Sequence, residues 1–175
     1  MNYFALQVKT RAETKFIHMA THTSLLDEED AVRLVFPQKR TKIRRKGSIL
    51  PALEPIFPGY IFIETSKTYE SFYWKLKTIP GFFRYLPDTQ HPKPLDGSDL
   101  ILLKHFVSFG PVAESSEVTF DQNDRIQVTN GPLKGLEGSI VKVNKRKGRA
   151  KVKLDLYTES FLIDFAFTIL GHSDD

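Results

Sequence analysis

Residues 125 to 143 read Arg-Ile-Gln-Val-Thr-Asn-Gly-Pro-Leu-Lys-Gly-Leu-Glu-Gly-Ser-Ile-Val-Lys-Val, and they constrain the fold more than any other stretch. Ile126 and Val128 alternate with polar neighbours, and Ile140, Val141 and Val143 nearly do so after the intervening loop, which predicts two short strands joined by a turn. Asn130, Gly131 and Pro132 supply the bend. Gly131, Gly135 and Gly138 permit backbone angles or close chain approaches that a side chain obstructs. A small β-barrel is the expected product.

The chain has 175 residues, enough for one domain or two small ones. From about Val107 to Thr119 the text turns to Ser108, Gly110, Pro111, Ser115 and Ser116 with Glu114 and Glu117, a composition that breaks any period and predicts a linker. Two domains are therefore expected, 1–108 and 120–171, joined by 109–119. Before the linker helix and strand patterns mix; after it only strand patterns occur.

Lys and Arg number 25 against 21 Asp and Glu, a net charge of +4. Placement says more than the total. Lys39, Arg40, Lys42, Arg44, Arg45 and Lys46 form one run without an acid, and Lys145, Arg146, Lys147, Arg149, Lys151 and Lys153 form another. Such runs are either a nucleic-acid footprint or two solvated hairpin tips. Cysteine is absent, which excludes disulfides and thiolate metal sites. The N-terminus is too short and polar for a signal peptide, and Phe161 to Leu170, broken by Asp164, falls short of a bilayer span. A cytoplasmic protein without membrane contact, monomeric and without cofactor or metal, is the expectation.

Along the first domain, Phe4, Leu6 and Val8 predict a strand at the start, and Phe16, Ile17 and Ala20 a helix from Glu13 to about Leu25. Val32, Leu34 and Phe36 predict a second strand ended by Pro37, after which the basic run lies in an extended or hairpin segment. Pro51, Pro55 and Pro58 keep the next stretch out of helix. Tyr60 to Ile63 form an apolar strand, the expected centre of a sheet. Tyr69, Phe72, Tyr73 and Leu76 fall at i, i+3, i+4 and i+7, the stripe of a helix, with Trp74 off the stripe either against a loop or in a contact surface. A Pro80-Gly81 turn, a strand from Phe82 to Tyr85 and a helix capped by Ser98 complete the domain. In the second domain Ala150, Val152 and Leu154 point one way and Arg149, Lys151 and Lys153 the other, while Phe161, Ile163, Phe165, Phe167 and Ile169 alternate to its end.

The strand, Gly-Pro, bulky apolar residue, Lys-Gly-x-x-Gly and second strand at 125–143 resemble the KOW motif of transcription elongation factors and ribosomal proteins. Together with Tyr3-Phe4-Ala5-Leu6-Gln7-Val8-Lys9, Phe57-Pro58-Gly59-Tyr60-Ile61-Phe62-Ile63, Ile79-Pro80-Gly81-Phe82 and Leu162-Ile163-Asp164-Phe165, in that order and spacing, they make the chain resemble the NusG family over nearly its full length. The resemblance implies an α+β fold: an N-terminal NGN α/β sandwich, its antiparallel sheet flanked by helices, plus a C-terminal SH3-like KOW β-barrel. It implies that the first domain binds the clamp helices of RNA polymerase through Phe57, Pro58, Tyr60 and Phe62, with Ser71, Phe72 and Tyr73 facing the other side of the cleft. Lys9, Arg11 and Lys15 match the family's surface for the non-template DNA strand. The KOW domain is free for nascent RNA or another partner.

One departure bears on function. Where general members carry Phe-Gly-Arg for a ribosomal protein or termination factor, this chain has Asp155, Leu156 and Tyr157, and a carboxylate in place of an apolar anchor weakens that interface. With the two basic runs, this points to a specialised antiterminator comparable to RfaH or LoaP; a general elongation and termination factor, or a ribosome-associated RNA-binding KOW protein, are the alternatives. No enzyme is expected. His18 and His22 are at i, i+4 but lack the adjacent Glu and a third ligand, and the glycines of 131–138 lack the Gly-Lys-Ser/Thr ending of a phosphate loop.

Overall fold

Tyr3, Phe4, Ala5, Leu6 and Val8 are all buried, so the N-terminal strand is covered on both faces and belongs inside a sheet. The structure, a computed structural model, describes residues 1–22, 26 and 28–171. Its elements run β1 (Asn2–Val8), α1 (Glu13–His22), β2 (Val32–Val35), β3 (Gln38–Arg45), β4 (Ser48–Pro55), β5 (Tyr60–Thr65), α2 (Glu70–Lys77), β6 (Phe82–Tyr85) and α3 (Gly97–Val107). Then follow β7 (Val112–Ala113), β8 (Ser116–Phe120), β9 (Ile126–Asn130), β10 (Ile140–Asn144), β11 (Arg149–Leu156) and β12 (Glu159–Ile169). The expected end of the first helix, 23–25, lies outside the described residues.

Two compact units account for the chain, residues 1–36 with 57–101, and residues 37–56 with 102–175. In the first, the sheet order is β2-β5-β1-β6, antiparallel throughout. Phe4, Leu6, Val8, Ile61 and Ile63 line one sheet face, and Phe16 and Ala20 of α1 with Phe72 and Leu76 of α2 close over it. The predicted α2 stripe is the packed one: Phe72 meets Phe4 edge-on at 5.2 Å, and the Tyr85 hydroxyl donates to the Tyr73 carbonyl at 2.8 Å. Glu64 of β5 ties three strands. It accepts the Tyr3 hydroxyl from β1 and two bonds of 2.8 Å from the Arg33 guanidinium on β2.

In the second unit five strands curl in the order β10-β11-β12-β8-β9. Ala150, Val152, Leu154 and Leu156 of β11 point inward with Phe165 and Phe167 of β12, the alternation that the sequence predicts. The β3–β4 ribbon belongs here by its contacts, extended by β7. Phe106 of α3 stacks on Phe165 at 5.6 Å.

The α+β class is as expected, and three details differ. The segment expected as the linker 109–119 holds β7 and most of β8, and the compact units are not divided there. Ser116 and Val118 are buried while Glu117 is exposed, a strand alternation disguised by a small polar residue in an inward slot. The Ser116 hydroxyl there accepts the Leu133 N–H at 2.9 Å. Secondly, β9 and β10 do not pair with each other but stand at opposite edges of the sheet. Thirdly, only two of the three motif glycines are demanded by geometry. Gly131 and Gly135 have φ of +98° and +85°, whereas a Cβ on Gly138 meets nothing within 4 Å.

Candidate partner and nucleic-acid surfaces

Proline at 58 and glycine at 59 turn the chain into β5, and the corner is bolted to its neighbours. Gly59 N–H donates to Glu13 Oε1 at 2.8 Å, and its carbonyl accepts Val8 N–H at 2.8 Å. Glu13 is a buried carboxylate in the first turn of α1, where the helix dipole favours negative charge. Gly59 has φ +83°, and a Cβ would lie 3.2 Å from Thr10 Oγ1.

Phe57, Tyr60 and Phe62 are buried, with Phe57 edge-on to Phe62 at 5.6 Å. Opposite residues of paired strands share a face, so Tyr60 and Phe62 lie with Gln7 and Ala5, on the face away from α1 and α2. Ser71, Phe72 and Tyr73 sit on α2 over the other face. The expected polymerase-binding residues therefore fall into two groups, one on each face of the sheet. Four of them, Phe57, Tyr60, Phe62 and Phe72, are core rather than an open notch, because burial of each ring contributes about 1.5–3 kcal/mol. Pro58, Ser71 and Tyr73 are half-buried and reachable. Beside Tyr73, Trp74 is 70% exposed, and the Lys77 ammonium lies 5.2 Å from its ring and 5.3 Å from that of Tyr73. Lys77 was not legible as a member of this group from its own position, but its i+3 and i+4 spacing from the two rings could have found it.

Lys9, Arg11 and Lys15 are all exposed where β1 passes into α1. The bend is fixed by Lys9 N–H donating to the Gly81 carbonyl at 2.9 Å and by Arg11 at φ +69°.

The first basic run forms β3 and the turn of the ribbon. Lys39 departs from expectation: it is 3% exposed, its ammonium 2.7 Å from Glu54 on the opposite strand and 5.9 Å above the Phe165 ring. An unpaired buried ammonium is too costly, so register with Glu54 fixes its place. Arg40 pairs with Glu114 at 2.8 Å. Lys42, Arg44, Arg45 and Lys46 are exposed.

The second run divides in the same way. Lys145 pairs with Asp124 and caps the Phe120 ring at 3.9 Å, and Lys153 lies 4.0 Å from Asp155. Arg146 is exposed at the turn. Lys147, Arg149 and Lys151 instead join Lys142, Asn144 and Asp164 around a concavity of about 150 Å³. Four cations against one carboxylate give its lining a net positive charge. Lys142 was missed by the sequence reading, although folding the text about the 145–148 turn pairs it with Lys151. Asp155 is exposed at the β11–β12 tip and accepts the Ser160 hydroxyl, while Leu156 is buried.

His18 and His22 stack at 4.0 Å, and among the described residues no group of three or more His, Asp or Glu is arranged to hold a metal. No helix among them is long and apolar enough to cross a membrane.

Residues 1–104 match the family described as "Transcription termination factor nusG", and residues 122–154 match the KOW motif. The chain is 24% identical over 183 residues to "Transcription termination/antitermination protein NusG" of Synechocystis sp., covering 95% of this chain and 87% of that one. It is 24% identical over 144 residues to the protein of the same name from Bacillus subtilis, covering 81% and 80%. A solved structure titled "Domain interaction in Thermotoga maritima NusG" superimposes with TM-score 0.52 at 14% identity, over 94% of this chain and 93% of that one, and shares the fold.

Proposed function

Given that the chain belongs to the NusG family of non-enzymatic transcription factors, we propose that it is a specialised processive antiterminator. It binds the clamp helices of RNA polymerase through the N-terminal sheet, and nucleic acid through the barrel cations. The rim of Pro58 touches the enzyme on one sheet face, and Ser71 and Tyr73 serve the other side of the cleft. Phe57, Tyr60, Phe62 and Phe72 act from beneath as the packing that shapes both surfaces. Lys9, Arg11 and Lys15 pair with phosphates of the non-template strand, setting affinity more than sequence preference.

The observation that carries the specialised reading is the concavity formed by Lys142, Lys147, Arg149 and Lys151, which suits a phosphate of nascent RNA. Asp155 at the barrel tip works in the same direction by disfavouring the interface for a ribosomal protein or termination factor. A second reading, a general termination and elongation factor, draws its support from the names of the relatives.

In vitro transcription through an intrinsic terminator, with and without the protein, separates the two. The specialised reading predicts increased read-through by wild type and its loss in Lys142→Gln/Lys147→Gln/Lys151→Gln. The salt slope of RNA binding should fall by about two in that variant. Increased termination, or read-through untouched by the three substitutions, contradicts it.

A further inference from the structure

The outer part of the β3–β4 ribbon has work left unassigned. Residues 42 to 51 are exposed without interruption, and they hold four cations and no acid. Lys46 and Gly47, at φ +50° and +83°, make a two-residue turn whose twist suits a tight hairpin. Ile49 and Leu50 are 63% and 44% exposed, an unusual amount of aliphatic surface to leave on a two-stranded arm. Among the described residues neither Lys42 nor Arg44 makes an ion pair through its side chain.

The register says which side chains share a face. Lys42 opposes Pro51 and Arg44 opposes Ile49; on the other face Ile43 opposes Leu50 and Arg45 opposes Ser48. Cations and aliphatic groups are therefore mixed on both faces. A bilayer surface requires them segregated, and protein interfaces deplete lysine at their centre. Duplex DNA takes the mixture. Its phosphates and guanine edges accept from Lys and Arg, and its thymine methyls take aliphatic contact in the major groove. Two strands about 4.8 Å apart fit that groove, about 12 Å wide in B-form DNA, whereas the A-form RNA groove is too narrow to be read by side chains.

We propose that this arm enters the major groove of B-form DNA with the face of Lys42, Arg44 and Ile49 toward the bases, Lys42, Arg44 and Lys46 on phosphates or guanine edges and Ile49 against thymine methyls. It rests on the nucleic-acid reading of the basic runs, and it adds a duplex site to the barrel's cationic concavity. The Arg149 guanidinium belongs to both: it lines the concavity and donates to the Lys42 carbonyl.

Fluorescence anisotropy of the full chain on an A·T-rich DNA duplex tests this without polymerase. Arg44→Gln/Lys46→Gln should lower the salt slope by about two. Ile49→Ser should weaken binding about tenfold with the slope unchanged. Replacing every thymine by deoxyuridine, which removes the methyl groups and leaves the protein intact, should also weaken wild-type binding. Equal affinity for duplex RNA, binding unaffected by the arm variants, or capture by anionic vesicles in place of the duplex overturns the proposal. Such a failure would leave terminator read-through by wild type unchanged, which keeps it distinct from failure of the antitermination reading.

Discussion

Gly131 shows how far a single residue can be pinned. At φ +98° an L side chain is strained, and a Cβ there would lie 2.6 Å from Ser116 Cα and 2.8 Å from its Oγ. Backbone cannot yield as a flexible side chain does. Gly131→Ala should lower stability by about 3 kcal/mol, the sum of a left-handed penalty and overpacking, read as a lower urea midpoint. Gly138→Ala, in open space, should change it by no more than about 0.5 kcal/mol. Both glycines stand in the same motif, and spacing alone treats them alike; the left-handed φ of Gly131 and the approach of Ser116, from a strand hidden inside an apparent linker, tell them apart. Lys39 teaches the same lesson. Its six-cation run is plain in the text, but its burial follows from facing Glu54 across a hairpin whose register depends on the Lys46-Gly47 turn.

At the scale of elements, strongly periodic segments were legible and weakly periodic ones were not. The stripe of Tyr69, Phe72, Tyr73 and Leu76 predicts α2, and the inward series Ala150, Val152, Leu154 predicts β11, because large apolar side chains mark the buried slots. β7 and β8 escaped because Ala113 and Ser116 fill theirs with small residues. The N-terminal sheet depends on a polar clamp as well. Hydrogen bonds from the Arg33 guanidinium, chiefly, and from the Tyr3 hydroxyl hold the Glu64 carboxyl below the usual carboxylate range. That contribution is present above the unfolded carboxyl value of about 4.3, and it is lost as pH falls through the lower folded value. Arg33 is largely exposed, so the clamp is worth about 1 kcal/mol. Urea unfolding over a pH series should find Glu64→Gln less stable than wild type near neutrality, with the difference vanishing in acid.

Across the whole molecule, the order of motifs carries the family and the α+β class, while the candidate surfaces had to be assembled from register. Tyr60 and Phe72 lie a dozen residues apart in the text, and the sheet sends them to opposite faces. The cations of 145–153 are one run in sequence but four separate environments in the fold, and the residue that completes the concavity, Lys142, lies outside the run. Polymerase docking at the Pro58 corner is the claim on which the functional account turns. A photo-crosslinking amino acid placed at position 58, with the protein bound to a transcribing RNA polymerase, measures it directly. The account predicts a crosslink to the clamp helices that is absent when the crosslinker is moved to exposed position 162 on the barrel. A crosslink to ribosomal protein alone, or none to polymerase from position 58, would contradict it.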